Sequence, residues 1–219
     1  MENLTVNKGR LNAEKFRKEF PIFQNNSDLV YLDNASTTQK PRQVLDTLSE
    51  YYQNYNANIH RGIYQIAERA TAAYEKTRDK AAAFIGAKDR RSIVFTSGTT
   101  ESINLAANSW GRKNLRLGDE VLITEMEHHS NIIPWQLICK STSAKLKYIP
   151  ILENGTLDLS DPEKYFSEKT KLVSVIHQSN VFGTVNPVAK IIKLAHDCGA
   201  LVLLDGAQST PHHLVNVNE

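Results

Sequence analysis

Four apolar residues, Leu201-Val202-Leu203-Leu204, run without a break and end on an acid, Asp205. A run this short and continuous predicts a strand buried on both faces, as found inside a parallel sheet. Ligands of open α/β sheets gather at the carboxyl ends of such strands, and Asp205 stands at that end. Two readings of it stand side by side. Asp205 caps a turn, or its carboxylate pairs with the cationic ring nitrogen of a bound group. Gln208, three residues on, is in reach of a hydroxyl on the same ring.

The preceding hundred residues repeat one rhythm. Strands are predicted at Ser92-Ile93-Val94-Phe95-Thr96, Glu120-Val121-Leu122-Ile123-Thr124, Leu146-Lys147-Tyr148-Ile149-Pro150 and Leu172-Val173-Ser174-Val175-Ile176. Helical spacing recurs between them. Ile103, Ala106, Ala107 and Trp110 fall on one face, and Asp161-Pro162-Glu163 starts a short helix with an N-cap acid. Pro187 opens a helix with Val188, Ile191, Ile192 and Ala195 inward and Gly199 as its stop. Strands alternating with helices imply an α/β fold with a mostly parallel sheet and flanking helices.

The first ninety residues read differently. Asn12 is a predicted N-cap, with Leu11 and Phe16 as a hydrophobic staple, and Pro21 ends that helix. Leu29-Val30-Tyr31-Leu32 is a short predicted strand, followed by a polar turn, Asp33 to Thr38. Pro41 suits a first helical position, before Val44, Leu45, Leu48, Tyr51, Tyr52 and Tyr55 at helical spacing. A second helix carries Ala67, Ala70, Tyr74, Ala81, Phe84 and Ile85, with Gly86 as its stop. The expected division is residues 1–28, an N-terminal segment and helix, and residues 29–219, the domain that holds the sheet.

Bulk properties narrow the function. The chain has 219 residues and a formal net charge of +2, which implies no nucleic-acid or membrane partner. No run approaches the roughly 20 apolar residues of a membrane span. The N-terminus lacks a basic segment followed by an apolar one, so no secretion signal is expected. Two cysteines, Cys139 and Cys198, make no disulfide framework, and both are expected to be structural. The expected location is the cytoplasm.

Polar groups of different kinds follow the strands. Gly98, Thr99 and Thr100 stand at a helix N-terminus, where free amides, hydroxyls and the positive helix end suit a phosphate. His128 offers a flat imidazole for stacking on an aromatic ring; the alternative for adjacent His128 and His129 is a metal, but no cysteine or acid lies at ligand spacing. Asn180 supplies an amide donor for a carboxylate or ring oxygen. His60 and Arg61 sit in the loop Asn56 to Gly62, as an anion or substrate contact or as solvated chain.

Taken together, the sequence resembles the N-terminal half of a pyridoxal phosphate (PLP)-dependent cysteine desulfurase of the SufS-like, group II kind, within the class V aminotransferases. The resemblance rests on Tyr31-Leu32-Asp33-Asn34-Ala35, Asn58-Ile59-His60-Arg61-Gly62, Thr96-Ser97-Gly98-Thr99-Thr100-Glu101-Ser102-Ile103-Asn104, Glu127-His128-His129-Ser130-Asn131 and Asp205-Gly206-Ala207-Gln208. It implies the large domain of fold type I PLP enzymes. It also implies that Thr99 and Thr100 hold the cofactor phosphate, that His128 stacks on the ring and takes part in catalysis, and that Asp205 and Gln208 meet the ring nitrogen and hydroxyl. Asn180, Ala35, His60 and Arg61 are implied on the substrate side. The implied reaction takes L-cysteine to L-alanine and leaves persulfide sulfur on an enzyme cysteine, for an acceptor protein of iron–sulfur cluster assembly. A homodimer is implied as well.

The resemblance also predicts a lysine in a Ser-x-His-Lys motif after Asp205. The sequence ends at Glu219 without it, and without the nucleophilic cysteine, the substrate-binding arginine, the last strands and the small domain. On that resemblance, this chain is expected to be inactive alone. Selenocysteine lyase, another class V enzyme, and a non-catalytic remnant or interaction module remain as alternatives.

Overall fold

The computed structural model describes residues 12–218, so the Leu11 half of the expected staple lies outside the described residues. The chain forms two compact units, one reaching to Ala83 and the other starting at Phe84.

The first unit is helical. Helix α1 (Ala13–Arg17) starts as expected, with the Asn12 side chain accepting from Lys15 N at 2.9 Å. Pro21 does more than follow it: locked near the helical φ and lacking an N–H that helix starts leave unused, it opens α2 (Pro21–Asn25). The predicted strand over 29–32 is not formed. Val30 and Leu32 are 76% and 89% exposed, so no burial holds the segment in a sheet. Its polar groups turn elsewhere: Arg17 Nη2 donates to the Leu29 carbonyl at 2.8 Å, and the Tyr31 hydroxyl donates to Thr37 O at 2.6 Å. Helix α3 (Arg42–Asn54) carries the predicted apolar stripe, with Pro41 at its N-cap rather than inside it. Helix α4 (Gln65–Phe84) buries Ala67, Ala70 and Ala82. Arg69 of α4 bonds Glu50 of α3 at 2.6 Å and lies over the Tyr55 ring at 4.1 Å.

The second unit is a parallel sheet with helices on both faces. Helix α5 (Thr99–Ala106) continues through a wider π-type turn, Ala107–Gly111, into α6 (Arg112–Asn114). Strand β1 (Glu120–Thr124), helix α7 (Ile133–Thr142), strands β2 (Lys145–Ile149) and β3 (Thr170–Ile176), helix α8 (Val188–Asp197) and strand β4 (Leu201–Asp205) follow in order. All pairings are parallel and the spatial order is β2-β1-β3-β4. Gly199, at φ +79°, ends α8 in a conformation that side chains disfavour. The turn at Pro162–Lys164 is 3₁₀ rather than α, and Asp161 pairs with Lys164 Nζ at 3.3 Å instead of capping it.

Side-chain alternation along the strands builds two cores. Val121, Ile123 and Leu172 face Ile103, Ala107, Trp135 and Ile138 of the α5 and α7 side. Leu122, Val173 and Val175 face Ile191 and Ala195 of α8. Each fully buried Val, Leu or Ile among them stabilises the fold by roughly 1.5–3 kcal/mol relative to leaving it in water.

Two expectations fail here. Residues 92–96 join no ladder of this sheet; Ser92 closes a 3₁₀ turn, and Val94 is 66% exposed. Strand β4, expected to be buried on both faces, is an edge strand with one lateral neighbour. Leu201 is 53% exposed, and the strands buried along all but one residue are the central β1 and β3.

Candidate cofactor site at the strand ends

Asp205 ends β4 and is buried. Its Oδ1 accepts from Ala207 N at 2.9 Å, and its carbonyl accepts from His177 N at 2.9 Å. The turn-capping and ligand-pairing readings of the sequence are therefore compatible: one oxygen organises the turn while the carboxylate charge stays at the strand end. Thr99 is the first residue of α5, behind Gly98, whose φ of +156° suits a residue without Cβ. Glu101 folds back on this entrance, with Oε2 accepting from Ser97 N and Ser97 Oγ at 2.6 Å each. Those bonds hold the Glu101 carboxyl below its usual range, the Ser97 hydroxyl first and the Ser97 N–H second.

Thr99 and Asp205 line one cavity of about 510 Å³, together with His177, Ser102, Ser209 and apolar residues that include Leu203. That volume lies within the usual range for small-molecule sites. The His177 Nδ1 is buried with no hydrogen-bond partner among the described residues. Desolvation, and then the nearby His213, push His177 below the usual histidine range. A phosphate-suited helix end, a buried carboxylate and an unspent ring nitrogen on one cavity fit an anionic aromatic cofactor.

The other expected residues are placed less simply. His128 and Gln208 do not line this cavity. The His128 ring is exposed; its Nδ1 accepts from Ser130 N at 3.2 Å and lies 2.8 Å from Ser130 Oγ. That leaves Nε2 to carry the hydrogen of the neutral ring. Gln208 is half-buried with an interaction inside the protein. Thr100 is exposed on the first turn of α5, and Asn180 is exposed in the turn after β3. Ala35, His60 and Arg61 belong to the first unit. His60 adopts φ +68°, lies 3.5 Å from Glu75 Oε1 and packs edge-on against Tyr74; Arg61 is exposed.

Sequence reasoning missed the second buried acid of this unit, beside Asp205. Glu127 Oε1 accepts from Thr124 Oγ1 at 2.6 Å and from Ile176 N at 2.9 Å, and Oε2 accepts from Asn131 Nδ2 at 2.6 Å. Asn131 Oδ1 in turn accepts from Trp135 Nε1 and Ser174 Oγ. Burial pushes the Glu127 carboxyl up to about 7, against the lowering effect of its three hydrogen bonds and with a smaller upward push from Asp205. A signal was present: Glu127, Asn131 and Trp135 recur every four residues, the spacing of one helical face.

Comparison with known proteins gives a consistent picture. The aminotransferase class-V family matches residues 30–219. A probable cysteine desulfurase of Halalkalibacterium halodurans is 51% identical over 95% of this chain and 52% of its own length. A cysteine desulfurase of Escherichia coli is 48% identical over 94% of this chain and 51% of its own length. The apo structure of a cysteine desulfurase from Thermococcus onnurineus superposes with a TM-score of 0.87 at 41% identity, over 94% of this chain and 50% of that one. The chain thus spans about half the length of the curated relatives it matches.

Proposed function

Because this chain belongs to the aminotransferase class-V family, we propose that it is the N-terminal part of a SufS-like cysteine desulfurase. The reaction is conversion of L-cysteine to L-alanine, with the sulfur passed as persulfide to an acceptor protein of iron–sulfur cluster assembly. The observation that carries this reading is the meeting of Thr99 and Asp205 on one cavity, in a chain about half identical to curated cysteine desulfurases.

PLP, when bound, supplies an electron sink for the negative charge that develops on the substrate α-carbon. Asp205 keeps the ring nitrogen protonated by offering it a buried counter-charge. The N-terminus of α5, with the hydroxyls of Thr99 and Thr100, holds the phosphate. His128, its imidazole anchored by Ser130, offers a ring face for stacking and a donor on Nε2 for proton handling near the substrate. Gln208 orients the ring hydroxyl. Asn180 suits the substrate carboxylate; Ala35, His60 and Arg61 of the first unit are assigned to the substrate side by the family resemblance alone. The nucleophile is neither Cys139 nor Cys198: Cys139 lies on the buried face of α7, and Cys198 closes α8 with Sγ directed at Ala195 O.

The proposal extends to a cytoplasmic homodimer and to the division of this chain into residues 1–28 and 29–219. Among the described residues no helix is long and apolar enough to cross a membrane. The test is alanine and persulfide formation from L-cysteine by the full protein, with and without PLP. PLP-dependent alanine formation is expected; turnover of selenocysteine alone replaces the reading with a selenocysteine lyase, and no turnover of either overturns it.

A further inference from the structure

Among the described residues, Glu127 and Asp205 are the buried acids, and the function proposed above uses only Asp205. We propose that Glu127 is a positioning residue of the cofactor site, whose buried carboxyl clamps the His128 loop to the strand end that carries Asp205. The proposal rests on the PLP reading above.

Three chain segments converge on this one group. Thr124 ends β1, Asn131 lies three residues beyond His128, and the Ile176 N–H ends β3. Ile176 stands directly opposite Asp205 in the parallel ladder, and the next N–H, of His177, donates to the Asp205 carbonyl at 2.9 Å. A shift of the Glu127 side chain therefore moves the residue that would stack on the ring relative to the residue that would pair with it.

The chemistry of the clamp calls for an acid. The two oxygens face three donors: a hydroxyl, a backbone N–H and a side-chain amide. A glutamine would set its own NH₂ against either the Ile176 N–H or the Asn131 NH₂. A carboxyl satisfies all three when ionised. When protonated on Oε1, it donates to Thr124 Oγ1 and still accepts from Ile176 N and, through Oε2, from Asn131.

Glu127 is also coupled to Asp205 by charge. Thr124 on β1, Asn131 in the short 3₁₀ helix His129–Asn131 after β1 and the Ile176 N–H on β3 are uncharged; the charged group acting on Glu127 is Asp205 at the end of β4. Burial and that repulsion hold the carboxyl at about 7. Pairing of a cationic ring with Asp205 cancels that smaller push while burial remains, so the Glu127 carboxyl titrates at a somewhat lower pH and gives up part of its proton near neutrality. Cofactor binding and Glu127 ionisation are then linked: affinity is full above about pH 7 and falls with pH below it.

The test titrates the full apoprotein with PLP by equilibrium dialysis from about pH 5 to about pH 8, in the wild type and in Glu127→Gln. The wild type is expected to lose affinity below neutrality more steeply than the variant, by less than the roughly tenfold per pH unit that release of a whole proton would give. Equal slopes in two proteins that both bind PLP overturn this proposal alone. A wild type that binds no PLP at any pH overturns the cofactor reading and this proposal with it. Carbon-13 NMR of glutamate carboxyls in the wild type decides the matter if the variant does not fold. A resonance titrating near neutrality in the apoprotein and moving to lower pH with PLP supports the clamp; one unmoved by PLP overturns it.

Discussion

Ser174 donates to Asn131 at 2.6 Å, across 43 residues of sequence, and both side chains are fully buried. The bond fastens β3 to the short helix after β1 on the α7 side of the sheet. Asn131→Ala should strand the Trp135 N–H, the Ser174 hydroxyl and one Glu127 oxygen together. At about 1–3 kcal/mol per unsatisfied buried group, the loss should be about 3 kcal/mol or more. Trp135→Phe leaves the Asn131 oxygen short of one donor and opens a small cavity, but strands no other buried polar group, and should cost less. Urea unfolding of the two variants checks the order.

Stability should depend on pH through Glu127. Its folded value is raised, from 4.5 to about 7, so the folded state holds the proton more tightly. That contribution is fully present below the unfolded value and is lost as pH rises through about 7. The swing is on the order of 3 kcal/mol. Denaturant midpoints of the wild type should fall between about pH 5 and about pH 8 by more than those of Glu127→Gln.

Asp205→Asn should keep the turn, because the amide oxygen still accepts from Ala207 N. It removes the counter-charge for a ring nitrogen and the repulsion on Glu127. PLP affinity should fall by about tenfold or more, equivalent to about 1.4 kcal/mol, while the Glu127 carboxyl titrates at lower pH. Dialysis against PLP and the carboxyl NMR titration read the two effects separately; unchanged affinity would argue against the assigned role of Asp205.

Thr99→Val removes one hydroxyl at the first position of α5 and leaves the shape nearly unchanged. Stability should stay within about 0.5 kcal/mol, and PLP affinity should weaken by about tenfold, or about 1.4 kcal/mol, for a lost hydrogen bond to a charged group. Inorganic phosphate should compete with PLP in the wild type and much less in the variant.

Burial pushes the Cys139 thiol up to about 11. The thiolate is the reactive form, so Cys139 should resist maleimide at neutral pH until the protein is unfolded. Mass spectrometry of labelled peptides, with and without urea, measures this; rapid labelling of Cys139 in the native protein would contradict its buried setting.

Much of the second unit was legible in the sequence. Strands β1, β2, β3 and β4 and helices α5 and α8 lie within a residue or two of their expected positions, because apolar runs and helical periodicity are local properties of a chain. Asp205 reaches the cavity from the carboxyl end of β4, where the strand-end rule expects a ligand group, whereas Thr99 reaches it from the start of α5, after residues that join no ladder. What failed depended on lateral neighbours. Residues 29–32 and 92–96 have strand-like composition and lack the burial that holds a strand, and β4 became an edge because nothing in Leu201–Leu204 records which strands flank it. The Glu127 clamp was decided by tertiary structure for the same reason. Its spacing to Asn131 is local, but the Ile176 N–H that makes it a junction comes from 49 residues away, and only the packed sheet brings that donor, and the charge of Asp205, against a largely buried carboxyl.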